Sequence, residues 1–196
     1  MTVSLDRRQE ILSAALTAFV EKGFAAATID DVRRLSGAST GSIYHHFGGK
    51  EGLAAALYVE GLGEYQHGFL GRLRTARGPE EAVKGLVRHH LRWVERNPNL
   101  ARFILNRRQT EVLAATEEPM RELNRSFMAE ATTLLEPWVA SGALRRLPLD
   151  LFNAVLLGPL HEFTRHWLAG RTKTTIRSAE RALADAAWGA LRGEGG

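Results

Sequence analysis

Between residues 39 and 46 the chain reads Ser-Thr-Gly-Ser-Ile-Tyr-His-His. These residue types suit a DNA major groove. Hydroxyls bond bases or phosphates, imidazole donates to phosphate or guanine, and Gly41 lets the backbone come close to a duplex. Other chemistries find no footing. Gly48-Gly49-Lys50-Glu51 is not a phosphate loop, because Glu follows Lys50 where Ser or Thr is needed and no Gly lies five residues before Gly49. Gly61 and Gly63 lack the third glycine and preceding strand of a dinucleotide fingerprint. His45 and His46, and His89 and His90, are adjacent and point to different sides of a helix, while His161 and His166 are off the i, i+4 spacing that chelates a metal. The chain has no Cys, hence no disulfide, no zinc-thiolate site and no thiol nucleophile. No Ser sits in a nucleophile elbow. No enzyme, metal or cofactor is expected.

A groove-reading face needs two short helices held by a tight turn, and residues 28–47 supply the signals. Thr28 is placed to accept an orphan N–H, with Asp31 reaching back in a capping box. Ile29, Val32 and Leu35 follow at helical spacing, and Ser36-Gly37 stops the helix. Ser39 or Thr40 caps the next helix, in which Ile43 and Phe47 share a buried face and Thr40, Ser42, Tyr44, His45 and His46 take outward or flanking directions. A third helix, from Asp6 with Gln9 at the reciprocal capping position to about Lys22, turns Ile11, Ala15 and Phe19 inward to brace the pair. Spacing alone leaves two readings open, a DNA-reading pair or an αα corner with a solvated polar face.

The run Ser39–Phe47 with Gly-Gly-Lys-Glu-Gly-Leu after it and Thr-Ile-Asp-Asp-Val-Arg-Arg-Leu-Ser-Gly before it resembles the DNA-binding domain of TetR-family transcriptional regulators, over roughly residues 8–57. The resemblance implies an all-α homodimeric repressor whose larger C-terminal domain binds a small molecule and thereby releases DNA. By position it implies that Thr28 and Tyr44 contact phosphate, that Ser39, Thr40, Gly41, Ser42, His45 and His46 lie at or near the groove, and that Lys50 holds phosphate from the start of the fourth helix. The chain departs from the pattern at Ala38 and at Gly48-Gly49, which give the fourth helix a flexible approach and a weak N-cap.

The resulting division is a three-helix head, residues 1–49, and a helical effector-binding and dimerisation body, residues 50–196. Net charge is +4, yet residues 1–50 hold six Lys/Arg against five Asp/Glu. DNA binding would therefore rely on well-placed Arg7, Arg8, Arg33, Arg34 and Lys50 together with helix N-termini aimed at phosphates. No membrane span or signal peptide is expected, which points to the cytoplasm. The body reads as helices with breaks at 77–79, 97–99, 117–119, 141–148 and 169–173. Gly61, Gly63, Gly68 and Gly71 are expected to bend or break a long linking helix from Lys50 to about Arg77, and Pro137 and Pro159 to kink theirs.

For the body, self-association is expected on the last two helices, through Leu156, Leu160, Phe163 and Trp167 on one and Leu183, Ala187, Trp188 and Leu191 on the other, forming a four-helix bundle across a two-fold axis. An effector pocket for a small, largely apolar or aromatic compound is expected around Trp93, Arg102, Phe103, Asn106, Phe127, Trp138 and His161. Polar His89, Arg92 and Asn124 also fall in segments that read as interior. The partners would be a palindromic duplex, an effector and a second copy. Two other classes stay open: a helical-bundle carrier or enzyme without DNA function, and an architectural protein that binds DNA by charge alone.

Overall fold

The computed structural model describes residues 2–105 and 110–193. Its helices are α1 (Thr2–Lys22), α2 (Ile29–Ser36), α3 (Thr40–Phe47), α4 (Lys50–Thr75), α5 (Pro79–Arg96), α6 (Pro98–Leu105), α7 (Thr110–Ala140), α8 (Leu149–Leu168) and α9 (Ile176–Leu191). The described residues contain no strand, only an isolated bridge between Leu144 and Arg192. None of their helices is long and apolar enough to cross a membrane. The fold class is all-α, as the periodicity indicated. The chain divides into two compact units, Met1–Gly63 with Asn99–Leu123, and Glu64–Pro98 with Asn124–Gly196.

In the first unit α1 packs on α2 and α2 on α3. Ile11, Ala15 and Phe19 are buried as their spacing required, with Val32, Ile43 and Leu53 closing the same unit. Phe19 meets Phe24 edge-on at 5.3 Å and stacks on Phe103 at 5.8 Å. Two expectations fail here. Helix α1 starts at Thr2, so Asp6 lies inside the helix and does not cap it, because nothing in residues 2–5 breaks a helix. Leu35 is 53% exposed, since the last turn of an eight-residue helix rotates it away from the Val32 side.

In the second unit α5 packs against α8 and α9, which also pack on each other. Its core joins Leu86, Val87 and Leu91 of α5 to Leu156 and Leu160 of α8 and Ile176 and Leu191 of α9. The breaks expected at 77–79, 97–99, 141–148 and 169–173 each include a gap between helices, the second of them Asn97 alone. The break at 117–119 does not exist, because α7 runs through it. Pro119 removes one backbone donor, but Arg121 reaches Glu117 at 3.0 Å and Glu118 at 2.6 Å and ties the turn across it. Helix α8 likewise contains Pro159 without interruption.

The glycines of α4 do not break it. At Gly68 the missing side chain admits a neighbour: a Cβ there would sit 2.3 Å from His89 Cε1. The imidazole lies in that gap, with Nε2 2.8 Å from the Tyr65 carbonyl oxygen. Helix propensity alone would make Gly68→Ala stabilising by up to about 1 kcal/mol. Overpacking against a held ring has the opposite sign and the larger size, about 1–3 kcal/mol. The expected outcome is a lower urea midpoint for the second unit, read by tryptophan fluorescence. A midpoint at or above that of the parent protein would contradict this packing.

Candidate nucleic-acid interface

Helix α2 begins at Thr28 with a complete capping box. The Thr28 hydroxyl oxygen accepts from the Asp31 amide at 3.2 Å, and the Thr28 amide donates to Asp31 Oδ2 at 3.0 Å. The Thr28 hydroxyl also donates to the same carboxylate oxygen at 2.9 Å. Lys22 donates to Asp31 Oδ1 at 2.6 Å and Arg34 closes on that oxygen as well. Asp31 is buried, and its bonds from Lys22 and then Thr28 hold its carboxyl well below the usual carboxylate range, against the opposing effect of burial.

Gly37 ends α2 at φ 64°, and its amide donates to the Arg33 carbonyl. Gly48 ends α3 at φ 72° in the same way. Both need the left-handed backbone region, which glycine enters without a Cβ clash. Between them Ser39, not Thr40, is the N-cap of α3, its hydroxyl accepting from the Ser42 amide at 3.1 Å. Lys50 opens α4 directly after Gly49.

The outward face of α3 is the one its spacing indicated. Ile43 is fully buried and Phe47 half-buried, while Ser39, Thr40, Gly41, Tyr44 and His45 are exposed and Ser42 and His46 half-exposed. Tyr44 at 53% is among the most exposed large apolar side chains described. A Cβ at Gly41 would meet only Ser39 Oγ, at 4.0 Å. The protein's own packing therefore places no demand for glycine at 41.

The cations are arranged differently from expectation. Lys50 Nζ donates to the carbonyls of Phe24, Ala25 and Ala27 at 3.0, 3.2 and 3.1 Å, and lies 4.6 Å from the Phe24 ring centroid. An ammonium has three protons. All three are used on the α1–α2 loop, so Lys50 does not present a free ammonium to phosphate. Arg7 donates to the carbonyls of Ser36 and Gly37 at 3.3 and 3.1 Å and pairs with Glu10 at 2.8 Å. Arg8 pairs with Glu60 and lies 5.2 Å from the Phe47 ring centroid. Arg33 pairs with Asp30 at 2.7 Å, and Arg34 with Asp30 at 3.3 Å as well as with Asp31. Every Lys and Arg of residues 1–50 thus has an internal partner. The near-neutral head foretold the pairing with carboxylates, but only the folded loop puts carbonyls in reach of Lys50 and Arg7.

The residues expected to hold an effector are only partly brought together. Phe103 is in the first unit against Phe19. Arg102 is exposed there and donates to Asn99 at 3.0 Å. Asn106 lies outside the described residues. Trp138 is half-buried against the core of the second unit. Trp93, Phe127 and His161 do join, through aromatic neighbours that sequence reading left out. Tyr65 lies 5.2 Å from Trp93, 6.2 Å from Phe69 and 5.8 Å from His90, with Phe127 5.3 Å from Phe69 and His161 5.3 Å from His90. Tyr65 and Phe69 stand four apart on α4, a signal obscured by the glycines around them.

This cluster holds unpaired buried polar atoms. The Tyr65 hydroxyl is 3.0 Å from His90 Nδ1, while His90 Nε2, Gln66 Oε1 and Trp93 Nε1 have no partner among the described residues. Gln66 Nε2 donates to Asn124 at 2.8 Å. Burial lowers the pKa of His90 to about 3, with His161 and His89 adding to the effect, and burial raises that of Tyr65. Arg92, expected inside, is exposed and paired with Glu180 at 3.1 Å.

The residues chosen for self-association also need correction. Leu156, Leu160, Ala187 and Leu191 are buried within the single chain, so they cannot form a surface between copies. Phe163, Trp167, Leu183 and Trp188 pack against the same core and keep part of their surface. The stripes are apolar, as their spacing indicates, but α5 of the same chain contacts both helices.

Residues 11–57 match the family model for bacterial regulatory proteins of the tetR family. The chain is 30% identical over 150 residues to the HTH-type transcriptional regulator RutR of Escherichia coli O157:H7, covering 74% of this chain and 66% of RutR. It spans about two thirds of that relative's length. A solved TetR-family transcription regulator from Marinobacter aquaeolei VT8 superposes with a TM-score of 0.78 at 19% identity, over 99% of this chain and 100% of that one. FadR of Bacillus subtilis, solved in complex with stearoyl-CoA, gives 0.77 at 17% identity, over 92% and 97%. At those identities the two structures speak for the fold. Together with the capped helix pair, the matched family model and the RutR similarity place this chain in the TetR family of bacterial regulatory proteins.

Proposed function

We propose that the protein is a ligand-responsive repressor that binds a palindromic operator as a homodimer and reads it through α3. The observation that carries this reading is the exposed face of Thr40, Gly41, Tyr44 and His45 on a helix whose other face is fixed by Ile43. Thr28 and Tyr44 serve phosphates, Ser39 sets the helix N-terminus, and Thr40, Ser42, His45 and His46 lie at the groove. With the cations of the head internally paired, the exposed α3 face and helix N-termini carry the specific contacts. A two-fold dimer would bring two such heads to successive half-sites.

The effector in this reading is a small, largely apolar or aromatic compound held by the second unit's cluster around Phe127 and His161. Gln66 Oε1 and His90 Nε2 support a polar group on that compound, since each is buried without a partner. To empty the operator, the effector must favour the released state by several kcal/mol, about 5.5 for a complete reversal of populations.

Gly41 supplies the test. Gly41→Ala replaces a glycine in the first turn of α3 and meets no clash, so the head gains up to about 1 kcal/mol of stability. Operator affinity falls nonetheless, because the added methyl lies where the duplex backbone or a base edge must approach. Titration of a selected duplex alongside thermal unfolding reads both quantities. Unchanged affinity would mean that this face of α3 does not enter the groove.

A further inference from the structure

The second unit carries a groove of about 370 Å³ between α4 and α5, and its lining is dominated by groups that donate hydrogen bonds. Arg72, Arg88 and Arg96 line it, and none has a carboxylate partner among the described residues. This sets them apart from the arginines of the head and from Arg92, which lines the groove but is paired with Glu180. Two glutamates also line it: Glu81 accepts from the Arg77 amide at 3.0 Å, and Glu64 bears on His89. They leave the arginines in excess.

Trp93 closes the wall and is 9% exposed. His89 adds no cation to it, since its Nε2 lies on the Tyr65 carbonyl, and burial followed by the nearby Arg72 and Arg96 lowers its pKa. Gly68 and Gly85 line the groove without side chains to fill it.

We propose that this α4–α5 groove is a binding site for a small polyanion bearing phosphoryl or carboxyl oxygens, with Arg72, Arg88 and Arg96 as its charge partners. Guanidinium forks match both oxyanion types, and three unpaired cations around one groove favour a ligand of at least two charges. The site does not rest on the DNA reading; it shares Trp93 with the aromatic cluster, but its three charge partners lie outside that cluster. It is tested without DNA or effector.

The experiment is calorimetric titration of the full chain at low ionic strength with inorganic pyrophosphate and, separately, citrate, repeated on Arg88→Gln, Arg96→Gln and Arg165→Gln. Arg165 pairs with Glu162 and lies outside the groove. The expected result is saturable binding of one probe per chain, weakened about tenfold or more by each groove variant and unchanged by Arg165→Gln, with circular dichroism unaltered. Preference for pyrophosphate assigns a phosphate ligand and preference for citrate a polycarboxylate. Arg96→Lys separates charge from geometry and should bind between the parent and Arg96→Gln. Absence of saturable binding, or equal weakening by Arg165→Gln, would overturn the site.

Discussion

Lys50→Met should loosen the α1–α2 loop and lower the local stability of the head by roughly 2–3 kcal/mol, a typical contribution for hydrogen bonds to a charged group. Three carbonyls lose their donor, and the Phe24 ring loses its cation. The first unit contains no Trp, so amide hydrogen exchange in α2 is the suitable probe. The family resemblance suggests a different role, phosphate contact, and the two separate cleanly. A phosphate ligand would leave exchange unchanged and reduce the salt dependence of operator binding by about one charge. The geometry gives the reverse: faster exchange with an unchanged salt slope wherever the head stays folded.

His90 provides the second large effect. Its folded pKa, about 3, lies below the ordinary histidine value of 6.5, because burial disfavours the imidazolium. The unfolded chain therefore takes up a proton at a pH where the folded chain does not. Stability from this group is complete above about pH 6.5 and is lost as pH falls toward 3. The loss is on the order of a few kcal/mol. All four tryptophans belong to the second unit, so their fluorescence reports its urea midpoint. The midpoint should fall steadily from pH 6.5 to 4. His90→Asn, which keeps an acceptor for the Tyr65 hydroxyl and cannot titrate, should start lower and fall less steeply. Equal slopes in the two proteins would place the acid sensitivity elsewhere.

Much of the first unit was legible because its signals are local. Thr28 and Asp31 sit three apart, Gly37 follows a short periodic run, and Ile43 alternates with polar neighbours, so caps, turn and exposed face could be read directly. The partners of the cations depended on groups distant in sequence. Lys50 is claimed by carbonyls 23 to 26 residues away, and Arg7 by a helix end 29 to 30 residues away. In the second unit the apolar stripes of α8 and α9 were visible, but a stripe does not say which helix covers it. Leu156 and Leu191 were given to a second copy, whereas α5 of the same chain covers them. Gly68 shows the same limit. Propensity reads it as a weak point, and only the His89 ring across the helix pair shows it to be a place of close contact.

Whether α3 reads a specific palindromic sequence is decided by selecting random duplex DNA with the purified chain and titrating the winner against scrambled duplex at fixed salt. The expected result is an enriched palindrome bound at least about 1000-fold more tightly than scrambled DNA. Equal affinity for the two duplexes, or no enrichment with and without candidate effectors, would contradict it.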